Sequence, residues 1–111
     1  MRMWMVDPRI LCRKHLLGEH VELHMAAAWL KRGKHIDGWV NTNCLEPRSI
    51  GARHKALAAE MLRRGYRHRS SILQPRIANY QHPTAEVDRK AALKELLCRC
   101  PACTKSSLAL T

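Results

Sequence analysis

The segment KHLLGEHVEL carries two carboxylates and imidazoles at a spacing typical of a reactive site. If it is helical, a rotation of about 100° per residue places His15, Glu19 and Glu22 within about 60° of one another. A carboxylate in such a group can exchange protons with a substrate or stabilise a positive charge developing on it. The alternative for Glu22 is a solvated surface acid that pairs with a neighbouring Lys or Arg. Glu19 is interpreted as support for the site.

The same helix carries two histidines at a metal-binding spacing. His20 and His24 are four residues apart and therefore share one helical face. Glu22 would point to the opposite side, and the sequence offers no obvious third ligand. We expect no metal there.

The CRCPAC segment near the C-terminus contains the thiols of Cys98, Cys100 and Cys103. A tetrahedral zinc site needs a fourth ligand, which only Cys12, Cys44 or a histidine can supply. The total of five cysteines is odd and favours reduced thiols over a disulfide framework. We take free thiols as the default and predict no metal and no organic cofactor, with structural zinc as the alternative.

The composition predicts one basic domain that spans residues 1–111. Lys and Arg number 20 against 9 Asp and Glu, a formal net charge of +11, and the charges are spread along the chain. A folded surface of this kind is typical of nucleic-acid binding. A ribosomal or merely soluble basic protein is the alternative. No apolar run approaches the ~20 residues that span a bilayer, and no secretory signal is recognisable, so we expect a cytoplasmic protein without a membrane partner.

The candidate residues need helices to position them. Asp7 and Pro8 predict the start of a first helix, because Asp can cap free amides and Pro loses nothing at the first helical position. The helical period continues to about Arg32 and Gly33 ends it. Apolar residues flank the His15, Glu19 and Glu22 stripe on both sides, with a second polar stripe opposite. One polar stripe can face solvent, whereas the polar side chains of the other stripe need a structural or functional explanation. The second stripe consists of Arg13, His20, His24 and Lys31.

Two more helices complete the predicted fold. Residues 34–48 are predicted to form a loop with a short helical turn around Trp39. A second helix runs from about Ser49 to the arginines before Gly65, and residues 66–83 form an extended basic connector. A third helix starts at Pro83 and ends near the cysteines. The prediction is an all-α, three-helix domain with long connecting loops.

Three stretches resemble the phage-type pyrimidine dimer DNA glycosylases, which are the small endonuclease V of tailed phage and its bacterial relatives. They are KHLLGEHVEL, ALAAEMLRRGYRHRS, and Tyr80 with the following DRKAALKEL. Their order and spacing are those of the family. The resemblance therefore implies a DNA repair enzyme with the family's fold and chemistry.

The resemblance implies a glycosylase that is also an AP lyase. The α-amine of the N-terminal residue, here Met1, attacks the anomeric carbon of a damaged nucleotide, and a helical glutamate, here Glu22, stabilises the cation and assists strand elimination. Arg2 matches the arginine after the nucleophile and disfavours removal of Met1. An α-amine with a pKa near 7.7–8.0 is roughly a tenth or more unprotonated at pH 7, unlike an ordinary lysine.

The resemblance also suggests DNA contacts. His15 matches a histidine in the motif, Lys90 and Lys94 approximate a basic pair on the third helix, and Lys14 is a further candidate with Arg2. A simple solvated charge is the alternative for each lysine, and the alternative for His15 is a satisfied histidine that only orients Glu19 or Glu22. Trp4 or Trp29 can serve as a wedge that extrudes a nucleotide, although such residues are more often core.

Two departures from the family limit what the resemblance implies about the lesion. Val21 and Met25 replace arginines that contact DNA near the lesion in the phage enzyme, and its aromatic basic tail is replaced by CPACTKSSLALT. The sugar chemistry therefore transfers better than lesion specificity.

The sequence thus predicts a monomeric repair glycosylase and AP lyase that acts on double-stranded damaged DNA. Its substrates are pyrimidine dimers or another altered pyrimidine. The alternatives are a non-enzymatic DNA-binding protein of the same fold and a small zinc-stabilised interaction module.

Overall fold

The chain folds into helices joined by irregular segments. The computed structural model describes residues 2–72, 74–76 and 82–110, and within these ranges it contains no strand. The all-α prediction is thereby confirmed. Its helices are α1 (Arg13–Lys31), α2 (Asp37–Asn41), α3 (Ile50–Arg63), α4 (Arg89–Arg99) and α5 (Pro101–Ala109), with short 3-10 turns at Pro8–Ile10 and Pro47–Ser49.

The sequence predicted three helices, whereas the described ranges contain five. Two of the predicted helix starts were wrong. Asp7 does accept a hydrogen bond from the Arg9 amide, at 3.0 Å, but it closes only the Pro8–Ile10 turn. The backbone then becomes extended at Leu11, whose side chain is fully buried, and α1 begins two residues later.

The third predicted helix also starts later, at Arg89 instead of Pro83. The amide of Val87 donates to Glu46 Oε1 at 3.0 Å, which anchors the preceding segment to the core. Asp88 then caps α4 by accepting from the Ala91 amide, also at 3.0 Å. The C-terminal helix α5 was not predicted.

The helices share one hydrophobic cluster. Helix α1 packs against α3, while α5 packs against α4 and the Pro8–Ile10 turn. Fully buried side chains from successive parts of the chain meet in this cluster. They include Met3, Leu11, Leu16, Leu23, Leu30, Leu45, Leu57, Leu96 and Cys103.

The first residues are threaded into this core. The Met3 amide donates to the Cys44 carbonyl at 2.8 Å, and the Met3 sulfur accepts from the Glu46 amide at 3.3 Å. The Val6 carbonyl accepts from Arg53 Nη1 at 2.6 Å. These contacts hold the N-terminal segment against α3 and the loop before it, so its first described residue lies beside α1.

A buried ion pair sets the face of α1 that meets α3. Glu19 is 1% exposed, and its oxygens accept from Arg53 Nε at 2.5 Å and Nη2 at 2.9 Å. Such a pair satisfies both charges inside the core, whereas either charge alone there would be strongly destabilising. Glu19 is therefore held in the core by Arg53, and its supporting role in the site stays a prediction.

The second polar stripe of α1 is not simply solvated. His20 is buried, and its Nε2 lies 2.9 Å from His68 Nε2, which in turn is 3.4 Å from His54 Nε2. Burial and the neighbouring histidines lower the pKa of His20 to about 4. Burial also lowers the pKa values of His24 and His54. The imidazoles of His20, His24 and His54 are therefore neutral at neutral pH.

The positive charge lies on the outside. Of the 20 Lys and Arg residues, all but Arg2, Arg53 and Arg64 are exposed. Across the described ranges, no helix is both long and apolar enough to traverse a membrane.

Candidate active site

A cleft of about 400 Å³ opens beside the middle of α1. The N-terminal segment, α1, the loop that follows α2, and α4 all contribute to its wall. The lining residues are Arg2, Trp4, Lys14, His15, Gly18, Glu19, Glu22, Cys44 and Arg99. Four of the predicted site residues, Arg2, Lys14, His15 and Glu22, are therefore brought together here.

Glu22 holds the start of the described chain. Its Oε2 accepts a hydrogen bond from the Arg2 amide at 2.8 Å, across 20 positions of sequence. Met1, the predicted nucleophile, lies outside the described residues. The amide that joins Arg2 to Met1 is nevertheless fixed against the one carboxylate that the sequence singled out for chemistry.

The Arg2 side chain forms part of the cleft wall. Its Nη2 pairs with Glu95 Oε2 at 2.7 Å, and its guanidinium lies 4.4 Å from the centre of the Trp4 ring. Its Nε is buried and has no hydrogen-bond partner among the described residues. A buried donor of this kind costs about 1–3 kcal/mol unless a ligand or water accepts from it.

Lys14 and His15 lie at the beginning of α1, Lys14 exposed and His15 half-buried. His15 Nδ1 faces thiols, at 3.2 Å from Cys12 Sγ and 3.5 Å from Cys103 Sγ. Burial, followed by the nearby charges of Lys14 and Arg99, lowers the pKa of His15. The ring is therefore neutral at pH 7.

Lys90 and Lys94 are exposed on α4 and do not line this cleft. Two other residues of α4 do reach the cleft. Arg99 lines its wall, and Glu95 pairs with both Arg99 and Arg2. The sequence analysis missed this pair. Its spacing of four residues signals a shared helical face, but no local pattern indicates that this face meets Arg2.

Neither of the two tryptophans considered as wedges, Trp4 and Trp29, has a fully exposed side chain. Trp4 is only 4% exposed and packs edge-on to His15, which matches the alternative that it is a core residue. Trp29 is half-buried, and its Nε1 donates to the His35 carbonyl at 2.8 Å. Exposed apolar side chains instead flank Glu22 on α1, where Val21 is 58% and Met25 is 49% exposed.

Two groups of side chains have the residue types of a metal site. The ligand atoms of Cys12, His15, Cys100 and Cys103 lie within 4.8 Å of one another, as do those of His20, His54 and His68. In the histidine group, His54 and His68 are the further possible ligands that the sequence did not reveal for His20. The closest nitrogens of this group are 2.9 Å apart, a hydrogen-bond distance, whereas two nitrogens on one tetrahedral zinc are about 3.3 Å apart.

The arrangement around Glu22 suits reactions on an anionic substrate. Three cations, Arg2, Lys14 and Arg99, line the cleft together with Glu22, whereas the other lining carboxylate, Glu19, is paired with Arg53. The cations can bind phosphate, while the Glu22 carboxylate can accept a proton or stabilise a positive charge.

Comparisons with known proteins agree with this picture. Residues 1–74 of the 111 match the profile of a family described as pyrimidine dimer DNA glycosylase. The match contains Arg2, Lys14, His15 and Glu22, whereas α4 and α5 lie beyond it. Comparison with curated proteins and with solved structures gives no significant match.

Proposed function

The chain belongs to the pyrimidine dimer DNA glycosylase family, as its motifs predicted, and we propose that it excises damaged pyrimidines from duplex DNA and then cleaves the strand. The family implies a damaged DNA substrate. Pyrimidine dimers are the first candidate lesion, and another altered pyrimidine is the second. The proposed enzyme acts as a single chain, with Met1 as the nucleophile and Glu22 as the carboxylate of the reaction.

The observation that carries the proposal is the hydrogen bond between the Arg2 amide and Glu22. Met1 is the residue joined to that amide nitrogen by its peptide bond, so the hydrogen bond ties Glu22 to the residue next to the proposed nucleophile. In the proposal, the α-amine attacks a sugar carbon while the carboxylate faces the developing charge. The family match and the cationic cleft support the same assignment.

In the proposed reaction, the unprotonated amine forms a bond to carbon 1′ of the damaged nucleotide as the glycosidic bond to the base breaks. The Glu22 carboxylate stabilises the positive charge that develops on the sugar. The sugar ring then opens as the bond between carbon 1′ and the ring oxygen breaks, a proton passes from the nitrogen to that oxygen, and an imine forms between the α-amine and carbon 1′.

The second half of the reaction cleaves the strand. The imine acidifies the hydrogen on carbon 2′, and Glu22 or a water that it orients removes that proton. The electrons form a carbon–carbon double bond as the 3′ phosphate leaves. Water finally hydrolyses the imine and releases the free α-amine.

The cations of the cleft are proposed to hold the strand. Arg2 Nε is buried and lacks a protein acceptor within the described ranges, so a substrate oxygen can fill that role. Lys14 and Arg99 extend the cationic wall on either side. Lys90 and Lys94, exposed outside the cleft, are proposed to contact more distant phosphates, which orient the duplex without reading its sequence.

The exposed pair Val21 and Met25 suggests how a nucleotide is held out of the stack. Val21 precedes Glu22 in α1 and Met25 follows it by three positions, and both are exposed and apolar where the phage enzyme carries arginines. Apolar side chains can occupy the space that an extruded base leaves, and the buried Trp4 cannot.

Reductive trapping tests the proposed nucleophile. Borohydride added during turnover on abasic duplex should reduce the imine and join the protein covalently to the strand. Peptide mapping should place the link on the α-amine of Met1, and acetylation of that amine should abolish trapping, since an amide nitrogen cannot form an imine. Full-rate trapping on a lysine would refute the assignment.

The same assay separates the two rivals. A DNA-binding protein without activity would bind damaged duplex yet give neither incision nor trapping. An interaction module would give neither incision nor trapping, and it would bind damaged duplex only nonspecifically. Repeating the assay with duplexes that contain different altered pyrimidines would identify the preferred lesion.

A further inference from the structure

We propose that Cys12, His15, Cys100 and Cys103 bind one structural zinc ion that joins the start of α1 to the start of α5. The proposal goes beyond the incision chemistry and does not depend on it. It also replaces the sequence-based default of free thiols, because the fold brings together ligands that are 88 positions apart.

The four side chains come from two short motifs with metal-ligand spacing. Cys12 and His15 form a Cys-x-x-His pair, and Cys100 and Cys103 form a Cys-x-x-Cys pair. Each pair lies at the first turn of a helix, with Cys12 at the N-cap of α1 and Cys100 at the N-cap of α5. Three thiolates and one imidazole are a common ligand set of structural zinc.

The distances match a tetrahedral ion. Zinc bonds of about 2.3 Å to sulfur and about 2.0 Å to nitrogen separate two sulfurs by about 3.8 Å, and a sulfur from a nitrogen by about 3.5 Å. The structure has 3.9 Å between the sulfurs of Cys12 and Cys100. It has 3.2 Å and 3.5 Å between His15 Nδ1 and the sulfurs of Cys12 and Cys103. Every remaining pair of these ligand atoms is within 4.8 Å.

The surroundings favour thiolates in this position. The Cys12 amide donates to Cys103 Sγ at 3.2 Å, and the Cys103 amide donates to Cys100 Sγ at 3.4 Å. The two helix N-termini add positive electrostatic potential at the same point.

The other two cysteines provide internal controls. Cys98 is exposed and does not belong to the group, although it lies in the same CRCPAC segment. Cys44 lies at the cleft, where its sulfur accepts from Thr42 Oγ1 at 3.3 Å. The zinc proposal therefore selects three of the five cysteines and predicts that the other two are dispensable for metal binding.

Zinc at this position would fasten α5, and the adjoining α4, to the part of the chain that matches the family. Helix α4 carries Glu95 and Arg99 to the cleft. Coordination through Nδ1 would also place the His15 proton on Nε2, which remains available as a donor. The ion would thus position the cleft wall without touching the reacting sugar.

Metal analysis of the full chain, purified under reducing conditions without chelator, is the direct test. We expect one zinc per chain in the wild type and in Cys98→Ser, and less than about a tenth of that in Cys103→Ser and Cys100→Ser. Loss of zinc from Cys98→Ser to the same extent as from Cys103→Ser would overturn the assignment. So would iron with acid-labile sulfide in place of zinc.

Cobalt substitution tests the geometry and does not depend on whether the serine variants fold. Stripped, reduced wild-type protein should bind one Co²⁺ with the intense visible bands of tetrahedral coordination and with thiolate charge-transfer absorption, and Zn²⁺ should displace it. In His15→Cys, the charge-transfer intensity per cobalt should rise by about a third, since a fourth thiolate replaces the imidazole. An unchanged intensity, or a wild-type protein that takes up neither ion, would refute the site.

Discussion

Replacing Glu22 by Gln separates its two proposed roles, which are holding the N-terminal segment and acting in the reaction. The glutamine oxygen can still accept from the Arg2 amide, which Glu22 binds at 2.8 Å. Exchange of a charged acceptor for a neutral one should weaken that hydrogen bond by about 1 kcal/mol. This change corresponds to roughly a fivefold loss of the docked segment at most.

The chemical role predicts a much larger loss. An amide can neither accept the carbon 2′ proton nor offset the charge on the sugar, so incision of abasic duplex in single turnovers should fall by about 10²–10⁴-fold. That range is about 2.7–5.4 kcal/mol of transition-state free energy. A loss of this size exceeds what weaker docking can produce and would therefore report on the reaction itself.

Two comparisons complete the assay. Glu22→Ala loses both roles, so it should lower borohydride trapping more than Glu22→Gln does. Glu95→Gln, which removes the carboxylate beside the Arg2 and Arg99 guanidinium groups, should reduce incision by less than about tenfold because it changes only partly exposed pairs. Binding to a lesion duplex, measured by fluorescence anisotropy, should stay within a few-fold for Glu22→Gln. Incision by Glu22→Gln within about fivefold of the wild type would refute the chemical role.

Three further measurements test the core and the surface. Glu19→Gln leaves Arg53 without its carboxylate in the core, so urea denaturation should give a free energy of unfolding about 3 kcal/mol lower, and an unchanged value would contradict the pairing. The folded pKa of His20, about 4, lies below the unfolded value near 6.5. Because the unfolded chain binds more protons between these values, the free energy of unfolding should fall as the pH drops from about 6.5 to about 4, and His20→Gln should flatten that curve; a flat wild-type curve would argue against neutral packing. Affinity for undamaged duplex should fall by about 10³-fold between about 50 and about 200 mM salt if six or more phosphates are contacted, and a nearly constant affinity would exclude an electrostatic interface.

Local signals in the sequence were sufficient where the backbone itself determines the structure. Helices α1 and α3 end just before Gly33 and Gly65, whose φ values of 70° and 83° favour glycine. Periodicity likewise indicated the face that carries Glu19 and Glu22.

Helix starts were less predictable because distant groups compete for the same amides. Asp7 and Pro8 are a valid signal for a helix start. The 3-10 turn that they begin nevertheless ends at Ile10, where the backbone becomes extended and Leu11 is buried. Pro83 is another such signal, but the bond from the Val87 amide to Glu46 delays α4 until Arg89. Helix α5 has little amphipathic pattern, and its capping group is a cysteine sulfur instead of a usual Ser or Asp oxygen.

The sequence by itself determined the helical class, the basic surface and the family, because composition, local periodicity and motif order are properties of the chain alone. Only the tertiary structure decided which side chains meet. It placed the Arg2 amide on Glu22, buried His20 among other histidines, and brought the sulfurs of Cys12 and Cys100 within 3.9 Å across 88 positions. Those contacts depend on how α1 packs against α3 and how α5 returns to the start of α1, and hydrophobic burial drives that packing without leaving a local pattern that specifies the partners.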